Sequence, residues 1–419
     1  MLLVMYMEHM NISQFNLWAK EHIVDESKFD DEGFIIMENN HNYKTTGVIA
    51  KIFEDNWEEY YNQYKDTLDE VRPNASKEVQ KIIDCSNHNL GASVYVCKED
   101  NEVYFCHHTC KGKLCSSCGI KTQKLVTENI LQKCITTKHR HMTFTMPKEL
   151  TSWFFYKLTT LNILFDSVND TLYSIVNGRI KKKRKYNLKY SPGFFAFLHT
   201  FGRPLNFNPH IHVVIAETIF DKNKKFKKCN YFNYDALSKR FMKVLLDKME
   251  KHFGKTLFRT TKNEMYLKYK NGFYVNNKME DDGYKFKSIK DLIKYVTRYC
   301  ARPVIAESRI LKYENNNVTY CFQDHKEEKY HEITVPAFEF ITKLLRHLLP
   351  SNFKSIRYFG FYNKASKLCD DISRIISKEK QKIRKSLLKW HNSILTSFKR
   401  IPIKCPKCGH LMDRCFEVS

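Results

Sequence analysis

Two stretches decide the fold of this chain: Phe194-Phe195-Ala196-Phe197-Leu198-His199-Thr200-Phe201-Gly202 and Asn208-Pro209-His210-Ile211-His212-Val213-Val214-Ile215. Both are dense in aromatic and β-branched residues, and each has the length of a buried strand. The sequence therefore predicts two strands, at 193–200 and 210–217, in an antiparallel sheet. Because side chains alternate along a strand, His210 and His212 lie on the same face of that sheet.

The histidine pair is a candidate metal site. Two neutral imidazoles side by side can hold a divalent ion and leave coordination positions open for a substrate. Because two ligands hold such an ion weakly, a third is expected, and His199 on the preceding strand is the candidate. The alternative is a core histidine packed on Phe201. A second pair of the same spacing, His139-Arg140-His141, has no apolar central residue and starts a strand, so we do not assign it to the site.

A helix predicted over 289–300 carries two candidate nucleophiles, Tyr295 and Tyr299, one helical turn apart. Residues four apart share a helix face, so both hydroxyls could reach one metal ion. The alternative is that the tyrosines only pack an amphipathic helix. The same spacing occurs in three other places, without a convincing helix in a basic setting: Tyr60/Tyr64, Tyr186/Tyr190 and Tyr358/Tyr362.

These residue types together favour phosphodiester chemistry. A metal ion on His210 and His212 would polarise the phosphate, and a tyrosine hydroxyl would attack it and store the bond as a phosphotyrosine ester. The ion is expected to be Mg²⁺ or Mn²⁺, because phosphate oxygens join its coordination shell. A second tyrosine permits a second strand transfer before the first is released.

The net charge of +24 and the pI of about 9.3 indicate a polyanionic partner. A basic loop beside Tyr186 and Tyr190 is a candidate contact with phosphates and bases. The candidate residues of this loop are Lys181, Lys182, Lys183, Arg184 and Lys185. The alternative is a basic protein without a specific partner. The sequence has no apolar run near the roughly 20 residues of a membrane span and no secretory start, so we expect a cytoplasmic protein with no membrane partner.

Six of the fourteen cysteines fall between Cys85 and Cys118. The spacing Cys110-x4-Cys115-x2-Cys118, completed by Cys97, gives four thiolates and predicts a closed structural Zn²⁺ site. Cys106 and Cys85 compete for the fourth place, and His107 or His108 could substitute. Buried free thiols are the alternative.

A second cysteine group lies near the C-terminus, at Cys405-Pro406-Lys407-Cys408-Gly409. The glycine permits a tight turn around a metal ion. We expect Cys415 as a third zinc ligand and His410, or a residue elsewhere, as the fourth. The alternative is a solvated tail with free thiols.

The sequence predicts the α+β class: an antiparallel-sheet nuclease core with flanking helices and small N-terminal and C-terminal zinc modules. A long helix is expected over 149–177, and a hairpin over 264–276 with Asn271-Gly272 at its turn. The predicted division is 1–84 (extension and helices), 85–125 (zinc-binding domain), 126–365 (nuclease domain), 366–400 (basic helical linker) and 401–419 (zinc knuckle).

From about residue 46 to 412 the chain resembles two-tyrosine HUH transposases of the insertion-sequence-ninety-one type. The resemblance rests on an ordered combination that begins with the cysteine module and the strand at 141–147. It continues with His199-Thr200-Phe201-Gly202, Pro209-His210-Ile211-His212, Tyr295 to Tyr299, Arg302-Pro303, Ile305-Ala306-Glu307-Ser308-Arg309-Ile310, Ile356-Arg357-Tyr358-Phe359-Gly360 and Cys405-Pro406-x-Cys408-Gly409.

The resemblance implies rolling-circle transposition. A tyrosine would nick one strand at the end of the element, giving a 5′-phosphotyrosine and a free 3′-OH. Tyr295 and Tyr299 would be the nucleophiles, His210 and His212 the metal ligands, and Arg302 and Arg309 phosphate contacts. Single-stranded DNA and the DNA of the element ends would be the partners, in a bacterial nucleoid.

Two positions depart from the family pattern. Asp100 follows Cys97 where the family has Cys-x2-Cys, so Cys106 or Asp100 would substitute as the fourth zinc ligand; Asn208 stands where a further histidine often precedes Pro-His. Three other functions compete. A plasmid replication initiator or relaxase would share the chemistry, a non-catalytic zinc-containing DNA-binding protein would form no covalent adduct, and a tyrosine recombinase would need no metal.

Overall fold

A computed structural model describes residues 9–10, 47–86, 88–100, 102–177, 189–202, 204–221, 223–276, 288–301, 303–323, 330–370, 392, 394–395, 403–405 and 407–418. The side chains of residues 88, 117, 299–301, 416 and 418 are not described. The predicted DNA contacts at 181–185 and Arg302 lie outside the described residues, as does most of the basic helix predicted over 365–398.

The strands are β1 His9–Met10, β2 Ala92–Val96, β3 Val103–His107, β4 His139–Thr145, β5 Tyr190–Phe201, β6 Phe207–Asp221, β7 Phe226–Lys228, β8 Tyr274–Asn276, β9 Ile310–Glu314, β10 Asn317–Gln323, β11 Tyr330–Pro336, β12 Ile356–Gly360 and β13 Asp413–Val418. The α-helices are α1 Val48–Val71, α2 Ala75–Ile83, α3 Ser116–Leu131, α4 Ser152–Phe155, α5 Asn162–Asn177, α6 Tyr234–Phe253, α7 Lys255–Lys268, α8 Ile289–Ala301 and α9 Ala337–Leu345. Short 3₁₀ turns cover His88–Leu90, Lys148–Leu150, Leu158–Leu161 and Glu307–Arg309.

The central sheet has the strand order β12-β5-β6-β4-β8, with β7 also paired to β6, and every pairing is antiparallel. The aromatic and β-branched runs of β5 and β6 form its middle, where both faces are buried. One face packs against α5 and α6, through residues such as Phe194, Leu198, Ile211, Val213 and Ile215. The opposite face packs against α3 and α8, through Phe195, Phe197, Val214 and Ala216.

Two further layers surround this sheet. The helices α1 and α2 share a second hydrophobic core with β9–β11 and α9, so residues near the start of the described chain pack against the region 304–348. A separate sheet has the order β1-β13-β2-β3 and joins the C-terminal strand to the hairpin β2–β3. No helix in the described part of the chain is long and apolar enough to cross a membrane.

The predicted α+β class is confirmed by this arrangement of antiparallel sheets, flanking helices and cysteine clusters. Two local predictions are wrong. The region 149–177 is divided into α4, a 3₁₀ turn and α5, because the chain leaves helical geometry at Lys157 (φ −127°, ψ 84°). Residues 264–268 belong to α7 rather than to a hairpin, although Gly272 (φ +90°) does make a turn before β8. The domain division stays a prediction.

Candidate metal centre and zinc sites

Three histidines come together in the middle of the central sheet. Register pairs His199 on β5 directly with His210 on β6, and Phe197 with His212. Residues directly opposite each other in an antiparallel pair point to the same face, so all three imidazoles lie on the face covered by α8. One potential ligand nitrogen from each of the three lies within 4.8 Å of the others. The structure thus brings together the three histidines singled out from the sequence.

Hydrogen bonds orient the rings for metal binding. His210 Nδ1 lies 2.7 Å from the carbonyl oxygen of Asn208; since a carbonyl only accepts, Nδ1 carries the proton and Nε2 keeps its lone pair. His212 Nδ1 lies 2.8 Å from His141 Nε2 and 3.2 Å from Thr143 Oγ1, which leaves Nε2 of His212 for a metal ion. This bond uses the backbone carbonyl of residue 208. An asparagine can therefore take the place of the histidine that the family often has at this position.

The electrostatics favour neutral imidazoles. Burial, helped by the neighbouring imidazoles, lowers the pKa of His199 and His212 well below the ordinary value, and burial also lowers the pKa of His210. His199 and His212 are buried, whereas His210 is half-buried and opens the cluster towards solvent. Neutral rings with free lone pairs are what a divalent ion requires of histidine ligands. The three residues therefore fit a metal ion chemically as well as geometrically.

Helix α8, which carries both candidate tyrosines, packs directly on the histidine face. Leu292, Ile293 and Val296 are buried against the sheet. His199 also bonds to the backbone of Val296, within the same helix. The bond favours the protonated ring and so opposes the lowering of the His199 pKa, which makes the imidazole N–H the donor and the backbone of Val296 the acceptor. This bond joins a candidate metal ligand to the residue that follows Tyr295.

Tyr295 lies at the edge of the histidine cluster. Its ring makes an edge contact with His141, with 6.1 Å between ring centroids and 80° between ring planes. His141 stacks in turn on His212, with 5.0 Å between centroids. Tyr299 belongs to α8, but its side chain is not described. Ser288 begins the helix by accepting a bond from the backbone N–H of Asp291 at 3.2 Å.

His141 is a residue that the sequence analysis left out of the site. It lies in β4, next to β6, and is buried against His212. Alternation along β4 puts His141 on the same face of the sheet as His212, but the pairing of β4 with β6 that brings the two rings together could not be read from the sequence. The preceding His139 bonds instead to Tyr362 Oη, at 2.8 Å. Only one member of that H-x-H pair therefore approaches the cluster.

Arg309, expected to contact phosphate, is held by the protein itself. Its Nε donates to the carbonyl oxygen of Cys321 at 2.7 Å. On the solvent side of α8, Lys290, Lys294 and Arg298 are exposed and follow one another at intervals of four residues. These three residues, here called the α8 basic stripe, form a positive surface on the helix that carries Tyr295.

Four buried or half-buried thiols meet where α2, β3 and α3 approach one another: Cys85, Cys110, Cys115 and Cys118. Three of the sulfur–sulfur distances are 3.6, 3.7 and 3.8 Å. A tetrahedral zinc site with Zn–S bonds of about 2.3 Å has sulfur–sulfur edges of about 3.8 Å. Backbone N–H groups of Cys110 and Gly112 also donate to sulfur, as they do to thiolates. The group fits a closed structural Zn²⁺.

The cysteine pairing differs from the expected one. Cys85, and not Cys97 or Cys106, completes the first group. Cys97 lies with Asp100, Cys405 and Cys408 in a second group. Cys106 and Cys415 belong to neither group of potential ligands found among the described residues. Spacing favoured ligands that are close in sequence, and it could not show that β13 returns the C-terminal cysteines to the hairpin β2–β3.

Comparison with known families gives two matches within this chain. The family described as "Transposase zinc-binding domain" matches residues 52–146, which include the first thiol group and the hairpin β2–β3. The family described as "Putative transposase" matches residues 193–369, which include His199, His210, His212 and α8. The first thiol group and the histidine centre each lie within one of the two matched regions.

Two curated proteins are similar over most of their length. The transposase for insertion sequence element IS801 of Pseudomonas savastanoi pv. phaseolicola is 27% identical over 309 residues, covering 70% of each chain. A protein named "Putative transposase y4qJ" of Sinorhizobium fredii is 25% identical over 327 residues, covering 75% of this chain and 79% of its own. No solved structure gives a significant match.

Proposed function

Because this chain belongs to the transposase family of the insertion-sequence-ninety-one type, we propose that it nicks and rejoins single-stranded DNA through a 5′-phosphotyrosine intermediate. The observation that carries the proposal is the packing of the tyrosine helix α8 on the histidine face, with His199 bonded to Val296. This packing holds the candidate nucleophile Tyr295 in a fixed position relative to the candidate metal ligands.

In the first step, the hydroxyl oxygen of Tyr295 or Tyr299 attacks phosphorus. The Tyr O–P bond forms, the bond from phosphorus to the 3′ oxygen breaks, the phenolic proton leaves and the 3′ oxygen takes up a proton. Rejoining is the reverse attack by a 3′-OH on the phosphotyrosine. The other of these two tyrosines, which lie one turn apart on α8, would supply the second strand transfer.

The three histidines would hold the metal ion that positions the scissile phosphate for that attack. His199, His210 and His212 are kept neutral by burial, and their free nitrogens point to a common position. A bound Mg²⁺ or Mn²⁺ would polarise the phosphate and offset the charge that develops on its oxygens. His141 does not reach that position in our proposal; it holds His212 in the tautomer that binds metal.

The partner is proposed to be single-stranded DNA from the ends of the element. The net charge of +24 supplies long-range attraction, and the α8 basic stripe lies on the helix that presents Tyr295. The proposal also includes contacts with DNA phosphates by a set of basic residues: Lys181, Lys182, Lys183, Arg184, Lys185, Arg302 and Arg309. The Nε of Arg309 also donates to the carbonyl oxygen of Cys321.

The proposal is tested by a covalent-adduct assay on end-labelled single strands from both ends of the element. Zinc-loaded full-length protein is freed of excess metal and then given Mg²⁺, Mn²⁺ or neither. We expect a 5′-linked adduct that needs the added ion and is lost in the Tyr295→Phe/Tyr299→Phe double variant and in His210→Ala. Tyr266→Phe, at a half-exposed tyrosine on α7, is the matched control and should keep the adduct.

Two results would contradict the proposal. Tight binding of the element's own ends without any adduct in the unaltered protein would favour a non-catalytic DNA-binding protein. An adduct on the 3′ phosphate that forms without added metal would favour tyrosine-recombinase chemistry. The single Tyr→Phe variants then show which tyrosine makes the first cut.

A further inference from the structure

The second group of potential ligands is assembled from opposite ends of the described chain. Cys97 and Asp100 lie at the turn of the hairpin β2–β3, whereas Cys405 and Cys408 lie just before β13. Cys97 and Cys408 are 311 positions apart in sequence, and the whole histidine centre lies between them. Neither half has enough ligands of its own to enclose an ion.

The distances between the donor atoms match a tetrahedral zinc site. Cys97 Sγ lies 3.5 Å from Cys408 Sγ, and Asp100 Oδ2 lies 3.2 Å from Cys405 Sγ and 3.8 Å from Cys97 Sγ. With Zn–S of about 2.3 Å and Zn–O of about 2.1 Å, tetrahedral edges are about 3.8 Å between sulfurs and about 3.6 Å between sulfur and oxygen. The four ligand atoms all lie within 4.8 Å of one another.

Each half of the site, Cys97 with Asp100 and Cys405 with Cys408, is a turn held by backbone hydrogen bonds. Each turn presents two potential metal ligands. Cys97 N–H donates to the carbonyl of Glu102 at 2.9 Å, which closes the hairpin turn around Asp100. In the other half, Cys405 N–H donates to the carbonyl of His410 at 2.8 Å, and Gly409 N–H to that of Cys405 at 3.0 Å. Gly409 has φ +78°, a conformation in which glycine avoids the strain of a side chain.

The other contacts between the two halves are modest. The buried apolar cluster there is small, with Tyr95 and Met412 beside the two buried thiols. Two ion pairs, Lys98–Asp413 and Lys407–Glu102, cross the junction, but most of their side chains are exposed and such pairs contribute little. Pairing of β13 with β2 supplies the remainder. A metal ion is therefore the group best able to hold this junction closed.

We propose that Cys97, Asp100, Cys405 and Cys408 bind a second structural Zn²⁺, which links the C-terminal end of the chain to the N-terminal zinc-binding domain. The matched zinc-binding family stops at residue 146 and includes only two of these ligands. Cys415, half-buried on β13, is not a ligand; its sulfur lies 3.9 Å from the carbonyl of Asp413. The lysine- and arginine-rich sequence from 371 to 402 is then anchored on both sides.

Zinc content of the full-length protein tests the ligand set. Unaltered protein should hold two Zn²⁺ per chain, one for each cysteine group. Cys97→Ser and Cys408→Ser should each lose one of them. Cys415→Ser and Cys106→Ser are matched controls from neighbouring strands and should lose none. Loss of zinc in Cys415→Ser with both ions kept in Cys97→Ser would overturn the proposal in favour of an independent C-terminal knuckle.

Loss of zinc in a Cys→Ser variant could also result from misfolding. A variant that adds a thiolate ligand separates these two explanations. Asp100→Cys converts three thiolates and one carboxylate into four thiolates, so the Co²⁺-loaded protein should show stronger thiolate-to-cobalt absorption and release the metal more slowly. Asp100→Ala should release it faster. An unchanged cobalt spectrum in both variants would show that Asp100 is not a ligand.

The link itself is tested by cleavage. A protease recognition sequence is inserted between residues 385 and 398 of the full-length chain, and the tail is cut in the folded protein. We expect the tail to stay bound until a chelator is added, and to dissociate at once in the Cys408→Ser variant. Release of the tail before chelation in the otherwise unaltered protein would overturn the link, as would retention after both zinc ions have been removed.

Discussion

His141 Nε2 lies 2.8 Å from His212 Nδ1, and both rings are buried. For His212 to offer the Nε2 lone pair to a metal ion, its Nδ1 must carry the proton and donate it to His141. His141 then accepts at Nε2 and is protonated at Nδ1, a buried atom with no hydrogen-bond partner in the structure. The metal-binding tautomer of one histidine is thus set by another.

We therefore expect His141→Ala to weaken the binding of Mn²⁺ or Mg²⁺ by about 10- to 100-fold, the range found for residues that orient metal ligands. Adduct formation at saturating metal should be much less affected. The measurement is the metal concentration for half-maximal adduct formation. His141→Asn should restore part of the affinity, because its amide oxygen accepts the same bond. His139→Asn, in the same strand but bonded to Tyr362, is the control, and an equal loss there would contradict the assignment.

The stability of the protein should fall as the pH drops below about 6.5. Burial lowers the pKa of His347 from 6.5 to about 4, with Nδ1 near Thr200 Oγ1 and Nε2 near the carbonyl of Leu205. The unfolded chain takes up a proton between these two pKa values and the folded chain does not, so unfolding is favoured as pH falls through this window. At pH 5 the cost is about 2 kcal/mol for this residue.

Urea denaturation at pH 7, 6 and 5 checks that expectation. His347→Gln should lower stability at pH 7 and make the remaining pH dependence shallower. His252→Gln, the same change at an exposed position near the end of α6, is the matched control. The same slope in His347→Gln and in the unaltered protein would show that another group is responsible.

Thr297 connects the tyrosine helix to α3. It is fully buried, and its Oγ1 lies 2.7 Å from Thr127 Oγ1 while also donating to the carbonyl of Ile293. Thr297→Val keeps the volume and removes the bond between the two helices, while Thr127 Oγ1 can still donate to the carbonyl of Gln123 at 2.8 Å, so the loss should be about 1 kcal/mol of folding stability. Thermal unfolding measures this loss. Thr127→Val/Thr297→Val should lose less than the sum of both singles, because each single variant removes the same bond, and a double variant less stable than that sum would contradict this account.

The two alternatives for the first zinc site can be separated directly. Cys85→Ser should lose one Zn²⁺ and several kcal/mol of stability, because metal binding is coupled to folding of such modules. Cys106→Ser should change neither quantity appreciably. Zinc content and thermal unfolding of the two variants, measured side by side, decide between them. Zinc loss in Cys106→Ser alone would restore the ligand set expected from spacing.

The α8 basic stripe should contribute to DNA affinity without sequence preference. Replacing Lys290, Lys294 and Arg298 by glutamine removes three phosphate contacts, so the slope of log affinity against log salt should become shallower by about 2 for single strands. Fluorescence anisotropy on element-end and scrambled strands of equal length measures it. Lys239, Lys243 and Lys251 on α6, replaced together, provide a charge-matched control. An equal effect in both triple variants would show that only net charge matters.

The sequence was sufficient for the parts of the site that follow local periodicity. Alternation along β6 placed His210 and His212 on one face, and the four-residue spacing in α8 placed Tyr295 on a helix. The role of His141 depends on which strand pairs with β6, a relationship between residues 71 apart in sequence. A continuous apolar pattern over 149–177 also concealed the break at Lys157, because helical periodicity survives a short 3₁₀ turn.

The zinc ligands also show that sequence spacing predicts local groupings but not contacts between distant parts of the chain. Cys110, Cys115 and Cys118 lie close enough in sequence for spacing to group them, and the structure keeps them together. Asp100 is close to Cys97 in sequence, but the other two partners, Cys405 and Cys408, lie about three hundred residues away, and no local pattern identifies them. Strand pairing between β2 and β13 decides that choice, and such non-local pairing is set by the tertiary fold rather than by spacing.

The composite zinc site also imposes an order on synthesis. Cys97 and Asp100 leave the ribosome 305 to 311 residues before their partners, a delay of about 15 to 60 s at ordinary translation rates. Until then the hairpin β2–β3 exposes an unfinished site, while the histidine centre already has all of its residues. A ribosome that stops before Cys405 would release a chain with its candidate nucleophiles but without this closure. Completion of the second zinc site thus marks a chain that has been translated past Cys408.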